Sequence, residues 1–414
     1  MSAFHPWVMW FFTAIFFAYQ FVMRVFPGLC VPEIMQKFHM DATDFGLFSS
    51  MYYYGYAGMQ IPIAFLLDRY GPRFIVSLCC FICSLSIFLF YWADNLYLAL
   101  LARFLLGAAS AAGFLGASKV ISLWFPFRVY ALMVGLTFSM GLLGAVYGGT
   151  PVSHLISYYG WEQVLIIIGV VGLLLALLIA VVIKPYKPSF LHGSPSFFKD
   201  FKSLLTMPFI LLMGLSNLLM VGPLEGFADV WGVPYLMSIY LYEKADASFI
   251  TTTIFTGMLI GGPIIAYVSE KLRVSYQMTA LCGILMAAIF ALMLLSKGHL
   301  SYTALYVMMF IVGILCCYQV LVFSIGAASV PPEMRNITVA FLNCINMLGG
   351  SFFHTFIGYL MDAFWMGQTM AGQRVYEAHA YQYALWVIPI AAFMGGCVFL
   401  FLRPSSKEQD NPFS

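Results

Sequence analysis

Charged residues nearly vanish from long stretches of this chain and then return in short bursts. Between the bursts lie twelve largely apolar runs, at roughly 7–30, 45–67, 73–92, 96–120, 130–156, 161–183, 207–231, 247–268, 275–295, 300–325, 336–360 and 381–402. Each has about the 20 residues that a helix needs to cross the hydrocarbon core of a bilayer. The one long polar interruption, Lys184–Thr206, carries Pro185, Pro188, Pro195 and four lysines. It divides the chain into 1–183, a linker at 184–206, and 207–414 with a short polar tail. The pattern predicts an all-α polytopic membrane protein, twelve transmembrane helices in two pseudo-symmetric six-helix bundles.

Composition agrees. Of 414 residues, 62% are hydrophobic and 9% charged, against about 25% charged in a soluble domain. A net charge of +2 gives no reason to expect a nucleic-acid partner. The nine cysteines lie mostly inside apolar runs and have neither disulfide nor zinc spacing. The first run lacks a basic leader and is too long for a signal-peptide core, so an uncleaved first helix is expected. With no phosphate loop and no sizeable soluble domain, neither an enzyme nor a primary pump is expected, and no cofactor or metal. Polar residues are sparse for a channel lining.

Basic residues set the expected orientation. With the N-terminus inside, thirteen fall on the cytoplasmic side and four (Lys37, Lys244, Lys297, Arg374) outside; Arg24 and Arg103 lie within spans, which accounts for all 19. Both termini are expected in the cytoplasm, with the protein in a bacterial inner membrane.

Helices two and three are joined by Asp68-Arg69-Tyr70-Gly71-Pro72-Arg73. Gly71 permits a left-handed turn, and Pro72 suits the first turn of the next helix. After helix eight, Glu270-Lys271-Leu272-Arg273 echoes that loop. Helix five opens with Pro126-Phe127-Arg128 and reaches Gly141 and Gly144; helix eleven opens with Pro332-Glu333-Met334-Arg335 and reaches Gly349-Gly350. Such a repeat suits a two-bundle transporter. Helix four carries Arg103, four residues before Gly107.

The Asp68 loop resembles the helix two–three signature of the major facilitator superfamily, with Ala64 at its leading glycine and Pro72 at one basic position. Arg103 matches the arginine of the family's helix-four motif. The resemblance spans the chain and implies a proton- or ion-driven secondary transporter with alternating access. A small-molecule substrate, protons and the lipid bilayer are then its partners, and a monomer is expected. The loop implies gating by Asp68, Gly71 and Arg73: in the state whose cavity faces outward, Asp68 is expected to meet the start of helix eleven near Asn336, and Arg73 a nearby acid, closing the inner side.

Candidate site residues are the polar groups inside spans, where an ionised side chain needs a partner or water. Arg24 lies deep in helix one beside Pro27, with Tyr19 and Gln20 a turn before it. Its guanidinium suits a substrate carboxylate, or a structural ion pair with Glu225. Glu225 lies about as deep in helix seven and is a candidate proton carrier or a partner fixing Arg24. Asp229 is expected nearer the surface and solvated. Asn217, Asn343 and Asn346 offer amides to a polar substrate, and Tyr53 and Tyr56 can line the same cavity. His354 is a candidate for proton coupling or for a bond between helices; Arg103 couples protons or snorkels.

The start of helix one and the run Trp231-Gly232-Val233-Pro234-Tyr235-Leu236 resemble bacterial anion and nutrient carriers, including phagosomal nutrient transporters. The expected function is therefore proton-coupled uptake of a small carboxylate-bearing nutrient, an amino acid or organic acid. The alternatives are an exporter of drugs or of a polycarboxylate siderophore, and a non-transporting receptor or structural membrane protein.

Overall fold

A computed structural model describes residues 4–185, 202–331, 334–370 and 373–402. Most of the linker at 184–206 therefore lies outside the described residues. Twelve long helices account for nearly all of what is described. The first six are α1 Phe4–Leu29, α2 Ala42–Tyr70, α3 Pro72–Tyr91, α4 Leu96–Trp124, α5 Tyr130–Tyr159 and α6 Trp161–Val182. The second six are α7 Pro208–Tyr240, α8 Lys244–Leu272, α9 Ser275–Leu295, α10 Tyr302–Ala328, α11 Arg335–Ala363 and α12 Ala378–Phe401. Eleven are long and apolar enough to cross a membrane. The remaining one, α2, is 29 residues long, but its tyrosines, serines and Gln60 make it more polar. The protein is an all-α polytopic membrane protein.

Several helices overrun the expected apolar limits because polar residues cap them beyond the hydrocarbon. Asp41 caps α2 by accepting the Asp44 N–H, and Ser301 caps α10 through Ala304. Two elements have no counterpart in the hydropathy pattern. A short helix, Val31–Phe38, follows α1 and buries Val31, Ile34, Met35 and Phe38 on one face. A two-stranded ribbon pairs Thr369 with Arg374 in the α11–α12 connection.

The turn between α2 and α3 forms as its residues predict. Gly71 has φ 78°, its N–H closes on the Leu67 carbonyl, and Pro72 opens α3. In this structure, where α2 and α11 approach closely at the other end of α2, the loop's charges have local partners. Asp68 lies 2.6 Å from Lys119 of α4. Arg73 donates to the Ala180 carbonyl of α6 at 2.7 Å and meets no acid among the described residues. A lysine one helix away, in the same bundle, satisfies the aspartate locally.

Three helix pairs join the two bundles: α2 against α11, α5 against α8, and α1 against α7. The first pair is closest near the start of α2, where small residues let backbones touch. A Cβ on Gly46 would sit 2.3 Å from the His354 carbonyl oxygen, and one on Gly358 2.1 Å from that of Ala42.

Candidate functional site

Midway along the bundle interface, α1 and α7 face each other with opposite charge. The Arg24 guanidinium bonds Asp229 through Nε at 2.6 Å and Glu225 through Nη2. All three residues are buried, at 6%, 1% and 1% exposure. A charge held in so dry a place needs its counter-charges, and removing one partner of such a group is costly. Asp229, expected to be solvated, is thus half of the arginine's acidic clamp. Its place follows from the backbone. From Gly222 to Trp231 α7 is π-helical, with the Gly232 N–H reaching back five residues to the Phe227 carbonyl. Such wide turns are frequent at functional sites. The spacing of Glu225 and Asp229, four apart in sequence, was the available signal that they share a side.

Tyr53 of α2 bridges the two acids, its hydroxyl contacting both Glu225 Oε2 and Asp229 Oδ2. Its ring lies 5.3 Å below the Arg24 guanidinium, which also stacks over Phe21 at 5.1 Å. His354 of α11 packs edge-on to Tyr53 and bonds the Glu225 carbonyl through Nε2 at 2.6 Å. The neighbouring Tyr52 hydroxyl bonds Gln20, and Tyr56 stacks on Tyr52.

Arg103 sits behind the cluster. It donates to the carbonyls of Met23 at 2.8 Å and Arg24 at 2.9 Å. Pro27 has no N–H, so the Met23 carbonyl four residues earlier loses its helical donor. The guanidinium replaces it. Tyr19 points elsewhere, to the Ile168 carbonyl of α6 at 3.0 Å.

A second polar group lies where α7, α10 and α11 meet. Tyr318 donates to the Asn217 carbonyl at 3.2 Å, and Asn346 bonds Gln319 at 3.3 Å. Neither Tyr318 nor Gln319 stood out in the sequence, since both lie in an apolar run. Asn343 bonds Gln60 across the interface at 3.4 Å. The Asp68, Gly71 and Arg73 loop is at the far end of α2, away from these residues.

At the opposite end of α2, Asp362 of α11 collects four donors. The N–H and hydroxyl of Thr43 lie at 2.8 and 2.5 Å and Arg374 at 2.8 Å, with Tyr376 as the fourth. Burial, then the nearby carboxylate, push the Tyr376 phenol above its ordinary value, so it remains a donor. Lys244 meets Glu33 at 2.5 Å close by. A cavity of about 500 Å³ opens here, lined among others by Gly28, Met35, Lys244, Arg374 and Tyr376.

The sequence profile of the Major Facilitator Superfamily matches residues 10–354 and 226–414. The chain is 34% identical over 151 residues to the uncharacterized transporter YybO of Bacillus subtilis, covering 36% of this chain and 35% of that one. It is 27% identical over 164 residues to the probable sulfoacetate transporter SauU of Cupriavidus necator, covering 40% of this chain and 38% of that one. The matched stretches thus span little more than a third of these relatives. A bacterial homologue of the human lysosomal transporter Spinster, solved inward-facing and unoccupied, superposes with a TM-score of 0.75 at 18% identity, covering 98% of this chain and 100% of that one. At that identity the likeness concerns the fold.

Proposed function

Because the chain belongs to the Major Facilitator Superfamily, we propose that it is a secondary active transporter that takes up a small carboxylate-bearing nutrient together with a proton. The observation that carries this reading is the charge count around Arg24. Arg24 and Arg103 supply two positive charges, and Glu225 and Asp229 two negative ones. A substrate carboxylate arriving at Arg24 adds one negative charge to a dry site, and one proton on an acid restores the balance. Tyr53 argues for the same proton. Its hydroxyl has a single hydrogen yet contacts two carboxyl groups, and a proton on either acid would give each contact its own hydrogen.

In this reading Arg24 grips the carboxylate, and Glu225, released from the arginine, carries the proton, with His354 and Tyr53 holding it in place. Gln20, Tyr56, Asn217, Asn343 and Asn346 line the path of the solute; Tyr19, turned toward α6, acts at most through packing. Asp68, Gly71 and Arg73 gate the basic end, which faces the cytoplasm with both termini on that side. Residues 1–183 and 207–414 move as two rocking units within a monomer. The relative named for sulfoacetate, itself a small organic anion, fits this substrate class.

The test uses purified protein in proteoliposomes. Labelled carboxylates should accumulate when an inward proton gradient is imposed and stop when a protonophore collapses it. Accumulation driven by an outward gradient would favour an exporter, and no proton dependence for any solute would overturn the coupling.

A further inference from the structure

Beside the charged cluster, two almost fully enclosed amides keep hydrogen-bonding capacity that nothing among the described residues uses. Asn217 is 0% exposed, and neither its oxygen nor its nitrogen has a partner. Asn346 is 1% exposed; it spends its nitrogen on Gln319 and leaves its oxygen free, while the Gln319 nitrogen is free in turn. Exchanging oxygen and nitrogen in both members of the Asn346–Gln319 pair still leaves one donor and one acceptor unused. Buried polar groups without partners cost free energy, and native proteins keep few of them.

The three residues stand where the same three helices pack together. Tyr318, next to Gln319, bonds the backbone of Asn217, and a Cβ on Gly349 would meet the Leu218 carbonyl at 3.1 Å. Thus α7, α10 and α11 converge there. That place adjoins the charged cluster, because Gly350 abuts the Tyr53 ring and Asn346 lies four residues before it, on the same face of α11. Asn346 is therefore about one helical turn, roughly 5 Å, beyond the residue that abuts Tyr53.

The chemistry of the unused atoms is specific. They comprise both donors and acceptors, in near-equal number. A second carboxylate would use only donors, and an aromatic or aliphatic body would use neither. Hydroxyl groups, each a donor and an acceptor, use both. Resting on the carboxylate reading above, we propose that Asn217, Gln319 and Asn346 recognise hydroxyls on the solute, and that the substrate is a polyhydroxylated carboxylate. Sites that hydrogen-bond a hydroxyl reject analogues lacking it, because their own polar groups are then left unpaired.

The test compares three six-carbon probes by calorimetry on the intact protein in nanodiscs: galactarate, adipate, which lacks the hydroxyls, and galactitol, which lacks the carboxylates. Galactarate should bind at least about tenfold more tightly than adipate. Asn217→Leu and Gln319→Leu should each lower the galactarate-to-adipate affinity ratio about tenfold; an unchanged melting temperature shows that the variant is folded. Adipate binding as tightly as galactarate would overturn the hydroxyl proposal alone. Galactitol binding as tightly as galactarate would leave the hydroxyl site standing and overturn the carboxylate reading. Binding of none of the three would overturn both.

Discussion

The carboxylate of Asp362, in the last turn of α11, accepts the backbone N–H of Thr43, in the first turn of α2, at 2.8 Å. The next N–H, of Ala42, is held by the Tyr376 hydroxyl at 2.8 Å. Two of the unsatisfied donors at the start of α2 are thus bonded by residues from the other bundle, and the negative charge meets the positive end of the helix. Separating the bundles at this end must break these bonds. Asp362→Asn keeps the shape and loses the charge, so we expect the closed arrangement to lose population. Spin labels at Asp94 and His299, both exposed, should report longer distances in the variant. An unchanged distance distribution would show that Asp362 does not latch the two bundles.

Arg24 uses two different nitrogens for its two acids, a geometry that one ammonium cannot copy. Arg24→Lys should therefore weaken substrate binding tenfold or more, about 1.4 kcal/mol. Glu225→Gln should retain binding but lose uptake driven by a proton gradient. Both are measured on the same purified variants. Normal binding by Arg24→Lys would make the arginine structural; gradient-driven accumulation by Glu225→Gln would place the coupling acid elsewhere.

Tyr53→Phe keeps the ring against His354 and Arg24 and removes the hydroxyl that separates Glu225 from Asp229. The acids then face each other without a bridging hydrogen. We expect stimulation of uptake by the proton gradient to fall about tenfold, the scale of a hydrogen bond to a charged group, with binding much less affected. Equal losses in binding and in coupling would mark Tyr53 as a contact to the solute.

Gly358→Ala should force α2 and α11 apart, since its Cβ would lie 2.1 Å from the Ala42 oxygen. Overpacking of this kind costs about 1–3 kcal/mol, and we expect the same spin-label pair to shift. Gly58 has nothing within 4 Å, so Gly58→Ala is the control and should leave distances and transport unchanged. A shift in the control, or none in Gly358→Ala, would remove the steric argument.

What could be read from the sequence depended on how local the cause was. Twelve helices follow from run length alone, and the turn at Gly71 from two adjacent residues. Arg24 and Glu225 stood out because charge is rare inside a span, and matching depth in the two bundles suggested that they pair. Asp229 reads as near-surface if α7 ends near residue 231, whereas the helix runs on to Tyr240 and leaves Asp229 buried. The pairing of Asp68 with Lys119 was not legible, because it depends on how α4 packs against α2. Asp362 and Tyr376 lie outside any motif and gain meaning only where α11 meets the start of α2. Tyr318 and Gln319 read as part of an apolar helix because the third dimension alone brings them to Asn217.

The bond from Arg103 to the Met23 carbonyl ties two distant positions into one genetic unit. Pro27→Ala would give residue 27 an N–H and return that carbonyl to the helix, stranding part of a buried guanidinium. Replacing Arg103 by leucine while Pro27 remains would strand the carbonyl instead. Each change alone creates an orphan that the other change would remove. Joint replacement should therefore be tolerated better than loss of Arg103 alone, and a proline in helix one should travel with an arginine in helix four.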